Sequence, residues 1–169
     1  MTLLLTAEEL IDLLDLEPLP IEGGFFRQTY VVHGHPELGS ADPQVSAIFY
    51  LVTPEAYSAL HRLRYDEMFH FYLGDPCSMI VCDQSGTLDR ITLGHEVRDH
   101  QQVQQLVPAG SWQGLRLRNG GRFALLGTTM SPGFRPDAFE LAAITDVEGF
   151  ASDVRESLLP FLAPSRPAP

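Results

Sequence analysis

The stretch His61-Arg62-Leu63-Arg64-Tyr65-Asp66-Glu67-Met68-Phe69-His70-Phe71-Tyr72-Leu73-Gly74 decides the fold. In its first four residues the arginines recur on a period of two and mark a solvated face, so His61 and Leu63 share the buried one. From Glu67 the same period puts Glu67, Phe69 and Phe71 in one phase and Met68, His70 and Tyr72 in the other. Both phases are largely apolar, the pattern of a strand covered on two faces.

Ser111 to Arg118 reads the same way. Arg116 and Arg118 mark the outside, which turns Gln113, Leu115 and Leu117 inward and sends Trp112 outward as an outer-face or dimer-contact anchor. An inward Gln113 needs hydrogen-bond partners, and His61 and Glu67 supply them if the strands are neighbours. Further strands are predicted at Phe25–Val32, Val45–Thr53, Cys77–Cys82, Leu88–Leu93, Val103–Val107 and Phe123–Met130. Turn signals separate them, including Gly23-Gly24 and Ser131-Pro132-Gly133, the latter read as a turn carrying a buried Phe134. Asn119-Gly120-Gly121 predicts a hairpin. Many short strands at this spacing imply an all-β, mainly antiparallel sandwich or barrel.

Helices flank the strands. Thr6-Ala7-Glu8-Glu9 fits a capping box and predicts a helix over 6–15, stopped by Pro18 and Pro20. Ser152 to Leu159 predicts a closing helix with Val154, Leu158 and Leu159 on its apolar face, and residues 161–169 a frayed Pro-rich tail. The barrel is expected over about 22–145, within a single domain spanning 1–160.

Composition narrows the partners. With 22 acidic and 11 basic residues the net charge is −11, the wrong balance for nucleic acid. Every basic residue is arginine, so no Schiff-base lysine and no P-loop lysine is present. MTLLLTAEEL has neither a basic n-region nor a membrane-length apolar run, and a cytoplasmic, membrane-free protein is expected. Cys77 and Cys82 face opposite sides of one strand, cannot bridge there, and read as inert. His33, His35, His95 and His100 fall in predicted loops without a shared metal-ligand spacing.

His61, Leu63, Glu67 and Gly74, followed by Pro108, Gly110 and Gln113, resemble the two short motifs of the cupin superfamily. IEGGFFRQTY, SAIFYLVTPEAYSALHRLRYDEMFHFYLGDP, QQLVPAGSWQ and LLGTTMSPGFRPDAFEL resemble in particular the Cupin_5 subfamily, domain of unknown function 985. The resemblance implies a cupin-type double-stranded β-helix, or jelly-roll barrel, with short terminal helices, a ligand cavity inside and a homodimer. It also exposes departures. Leu63 and Gln113 stand where metal-binding cupins have histidines, and Gln28 stands where the subfamily has a glutamate.

Three functions follow for the cavity. The first is metal-free acid–base chemistry on a small polar metabolite, sugar-like or nucleotide-sugar-like, as in an isomerase or epimerase. His61 would be the base and Glu67 the group that orients it. The second is ligand binding or a structural homodimer without chemistry. The third is a divalent transition metal on the incomplete set His61, Glu67 and Gln113; no cofactor is the favoured state. Phe69, Phe71 and Tyr50 are the predicted stacking wall, and Phe49 and Tyr50 cannot both face inward. Arg27, Tyr30 and Glu22 are predicted at the rim, with Arg27 either clamping a ligand anion or paired to Glu22 or Glu140.

Overall fold

The computed structural model describes residues 5–34 and 42–164, which leaves His35 outside. Its first element is set by the predicted capping box: Thr6 Oγ1 accepts from Glu9 N–H at 3.2 Å, and the Glu9 carboxylate accepts from Thr6 N–H at 2.8 Å. Helix α1 (Ala7–Leu13) follows. It lays Leu10 beside Leu16, Leu51, Phe123 and Leu125 on the outer face of a sheet.

The strands come in chain order as β1 (Glu17–Pro18), β2 (Phe25–His33), β3 (Pro43–Val52), β4 (Ser58–Leu63), β5 (Glu67–Gly74), β6 (Cys77–Cys82), β7 (Leu88–Leu93), β8 (Gln104–Val107), β9 (Trp112–Leu117), β10 (Ala124–Met130) and β11 (Phe139–Leu141). Pairings between these strands are antiparallel and make two sheets, β1-β2-β3-β10-β5-β8 and β11-β4-β9-β6-β7. Tyr50, Phe69, Phe71 and Leu126 from the first sheet meet Met79, Val81, Ile91 and Leu115 from the second in one buried cluster. The core therefore lies between the sheets, as in a jelly roll.

Two helices, α2 (Ile144–Val147) and α3 (Ser152–Leu158), close the outer face of the second sheet. Val147, Val154 and Leu158 pack there on Leu60, Ile80, Cys82 and Trp112. Trp112 is thus on the outer face, as its phase predicts. It is covered by its own chain and by the Arg62 guanidinium, 4.5 Å from the ring centroid, so it is not available as a dimer anchor.

Other sequence expectations are corrected. Asn119-Gly120-Gly121 joins β9 to β10, which lie in different sheets, so the turn is a crossing and not a hairpin. Gly120 still takes the positive φ, +84°, that its position requires. The chain after Pro160 is not frayed through Leu162: Phe161 packs toward Gly114, and the Leu162 carbonyl accepts from the Tyr57 hydroxyl at 2.9 Å. Residues 165–169 lie outside the described residues. Leu159 is 38% exposed because the helix gives way to a 3₁₀ turn over Leu159–Phe161 and turns that side chain out of the apolar stripe.

Cys77 and Cys82 are both free, and they enter opposite clusters, Cys77 between the sheets and Cys82 under the helices. Burial, with Asp75 nearby, pushes the Cys77 thiol up to about 12, and burial also raises that of Cys82. Neither is a thiolate nucleophile near neutral pH. Among the described residues no helix is long and apolar enough to cross a membrane.

Candidate functional site

The motif residues assemble by register. His61 on β4 pairs directly with Gln113 on β9, and Glu67 opens β5 on the facing sheet. Gln113 Nε2 donates across the interior to Glu67 Oε2 at 2.8 Å. His61 and Gln113 are each 1% exposed and Glu67 7%, so three polar groups share the buried interior. The inward phase predicted for all three holds.

Their roles differ from the sequence expectation. His61 Nδ1 lies 2.8 Å from the Ala59 carbonyl oxygen, which can only accept, so the ring is a donor at Nδ1. Its face stacks on Phe139 at 5.1 Å. The backbone and Phe139, rather than Glu67, therefore set the histidine's orientation. Burial raises the pKa of Glu67 from its ordinary carboxylate value, and the charge of Glu22 adds to this. The His61 charge and hydrogen bonding from Thr128 and Gln113 act in the opposite direction. Among the described residues Gln113 Oε1 has no hydrogen-bond partner.

Glu67 is the member of this trio that reaches a cavity. At that end of the barrel a space of about 90 Å³ is lined by the polar side chains Glu22, Gln28, Ser46, Glu67 and Thr128. Phe26, Ile48, Leu63, Met130 and Phe134 are among its apolar walls. His61 and Gln113 sit behind Glu67. Glu22 is fixed by its neighbours: its Oε1 accepts from Ser58 Oγ at 2.8 Å, and its carbonyl accepts from Ala59 N–H. The Tyr50 hydroxyl donates to the Gly23 carbonyl at 2.9 Å, and burial together with Glu22 lifts its pKa well above the usual phenol value. Tyr50 is a neutral strut for the Glu22 segment.

The remaining predicted ligand residues lie elsewhere. Phe69 and Phe71 belong to the core between the sheets, together with Tyr50. Arg27 pairs with Phe49 in the β2–β3 register, on the opposite face from Phe26 and Gln28. There it lies 5.4 Å from the Phe49 ring centroid and 3.6 Å from the Asp15 carboxylate, so it faces away from the cavity and its ion-pair partner is Asp15, not Glu22 or Glu140. Glu140 is held by Arg62 at 2.8 Å. Tyr30 is 58% exposed because the register slips between Gln28 and Tyr30, and the bulge turns it to the outer face opposite Ala47. His70 keeps its outward phase, 3.2 Å from Thr129 Oγ1 and Gln104 Nε2.

Sequence reasoning missed Phe26, Ser46, Thr128 and Phe134. The period-two phase of Ser46 with Tyr50, and the polar Thr128 in the apolar run Ala124–Met130, were the available signals. Phe134 is 41% exposed at the cavity and not buried, because its turn runs along the barrel mouth, anchored by its N–H to Ser46 Oγ at 2.9 Å.

The two-sheet barrel and this motif placement agree with a match to the family Cupin_5, the Cupin superfamily (DUF985), over residues 8–142. This chain is a Cupin_5 protein. A Shewanella oneidensis protein structure is similar to this Cupin_5 chain at 29% identity and a TM-score of 0.85, covering 96% of this chain and all of the other. A hypothetical protein from Leishmania major is similar at 26% identity and 0.82, covering 95% of this chain and all of its own. Bacillus subtilis oxalate decarboxylase shares the fold at 15% identity and a TM-score of 0.55, over 87% of this chain and 37% of that one. No curated protein matches the Cupin_5 chain in sequence.

The residues do not suit the metal that many cupins hold. Hydrocarbon from Leu63 lines the cavity where a ligand histidine would stand, and Gln113 offers only a neutral amide oxygen. Among the described residues no three of His, Cys, Asp and Glu are grouped to hold an ion.

One consequence of Glu67 burial is measurable without a ligand. A carboxyl raised in the folded state binds protons more tightly there than in the unfolded chain. Its contribution is fully present below the unfolded pKa and is lost as pH rises through the folded one. Glu67→Gln, which keeps the shape and the bond from Gln113, is therefore expected to raise the melting temperature at pH 7. The gain should shrink toward zero below pH 4. A variant less stable than the parent at pH 7 would contradict the raised Glu67.

Proposed function

We propose that this Cupin_5 protein binds a small polar metabolite at the barrel mouth and that Glu67 exchanges a proton with it. The observation that carries this reading is a buried, raised carboxyl on the wall of a cavity, held from behind by the Gln113 amide. Raised carboxyls suit general acid–base work near neutral pH. Isomerisation or epimerisation by proton transfer at carbon is the reaction class that such a group supports without a metal. Glu67 is then the acid–base residue, and Gln113 positions it.

About 90 Å³ accommodates a compound of a few non-hydrogen atoms, well below the range of about 300 Å³ and upward typical of drug-sized ligands. This favours a small metabolite over a nucleotide sugar.

The test has two stages. Thermal-shift screening of small polar metabolites should yield compounds that raise the melting temperature, since about 100-fold excess over Kd stabilises by about 2.7 kcal/mol. Incubation of such a compound in deuterium oxide should then give carbon-bound deuterium with the wild-type chain and at least about 100-fold less with Glu67→Gln. A panel without a single stabilising compound sinks the binding reading, and exchange that survives in Glu67→Gln removes Glu67 from the chemistry.

A further inference from the structure

We propose that the cavity takes a small organic cation bearing N–H donors, a primary ammonium or a guanidinium, in preference to an anion or a neutral polyol. The inference rests on the reading of this cavity as the ligand site, and it follows from the chemistry of the walls. Two carboxylates, Glu22 and Glu67, line the space, and among the described residues no arginine or lysine does. Arg27, the nearest basic residue in sequence to Glu22, is committed to Phe49 and Asp15 on the other face of its strand. Among the described residues neither glutamate forms an ion pair with an arginine.

Three further features point the same way. Phe26 and Phe134 wall the cavity with aromatic rings, whose electron-rich faces attract ammonium and guanidinium groups. Repulsion of the Glu67 charge by Glu22, which lines the same cavity, is relieved by a positive charge bound there, and an anion would add to it. A net charge of −11 also raises the local concentration of cations around the whole molecule.

Isothermal titration at pH 8 tests the proposal with ethylammonium and methylguanidinium as cations, erythritol as the neutral polyol and malonate as the anion. The cations should bind the wild-type chain at least about ten-fold more tightly than erythritol or malonate, the size of one charge-assisted hydrogen bond. Glu67→Gln and Glu22→Gln should each weaken the cations by about ten-fold or more. Glu22 is only partly buried, so Glu22→Gln keeps the test usable should Glu67→Gln fold poorly. Cation affinity unchanged in Glu22→Gln overturns the proposal. Binding of erythritol or malonate as tight as that of the cations also overturns it, while leaving a ligand cavity in place. Silence from all four probes overturns it too, and the metabolite panel then decides the cavity reading separately.

Discussion

Gly23→Ala is expected to destabilise the fold by about 3 kcal/mol or more and to dislodge Glu22 from the cavity. Gly23 has φ +100°, and a Cβ there would lie 2.4 Å from the Tyr57 carbonyl oxygen. The backbone conformation alone costs a side chain about 1–3 kcal/mol. The overlap adds to this, because the blocking atom is main chain and cannot rotate away. Displacement of the segment would break the bond from the Tyr50 hydroxyl to the Gly23 carbonyl and the bond from Gly23 N–H to the Leu19 carbonyl. Gly120→Ala is the control: its φ is +84°, yet no atom lies within 4 Å of the added carbon. That variant carries the conformational cost without the collision. Urea unfolding of both should separate them by more than about 1 kcal/mol, and equal midpoints would contradict the packing of Gly23 against Tyr57.

What the sequence exposed and what it concealed divide along a physical line. The phases of His61 and Gln113 were readable because arginines two residues apart label the solvent face, and a strand has only two faces; Glu67 was placed by sharing the phase of Phe69 and Phe71. Which end of the barrel a residue reaches is not written in that period. Phe69 and Phe71 share the phase of Glu67 and still belong to the core, because each step of two residues along β5 moves about 6.6 Å away from the mouth. Tyr30 was concealed for a different reason: a bulge adds one residue and reverses the phase of everything after it, and nothing in Phe25–Val32 announces it. The hairpin read into Asn119-Gly120-Gly121 failed similarly, since glycines specify the local turn and not which sheet the next strand joins.

The exchange of roles between His61 and Glu67 has the same origin. Sequence spacing brought the two together and correctly placed both indoors. It could not show that the Ala59 carbonyl and the Phe139 ring would take up the histidine, or that Glu22, from a turn 45 residues earlier in the numbering, would line the same cavity as Glu67. The long-range neighbours decide the chemistry, and they arrive by way of Gly23-Gly24, where two positive φ angles bend the chain into the mouth.

Phe69→Ala should lower stability by about 3–5 kcal/mol, whereas Phe134→Ala should change it by less than about 1 kcal/mol. The two rings separate core from site. Phe69 is 1% exposed and packed in the cluster between the sheets, so its removal forfeits both its transfer from water and the contacts of the void it leaves. Phe134 is 41% exposed, and the bond that anchors its turn runs from its backbone N–H to Ser46 Oγ, which alanine retains. Its ring faces the cavity instead of the core, so the loss should appear in binding of ethylammonium, whose affinity falls when an aromatic face is removed. Urea titrations would read the first effect as a lower midpoint at unchanged slope, and calorimetric titration the second. A Phe134→Ala chain that unfolds as early as Phe69→Ala would return Phe134 to the core and leave the cavity without its outer wall.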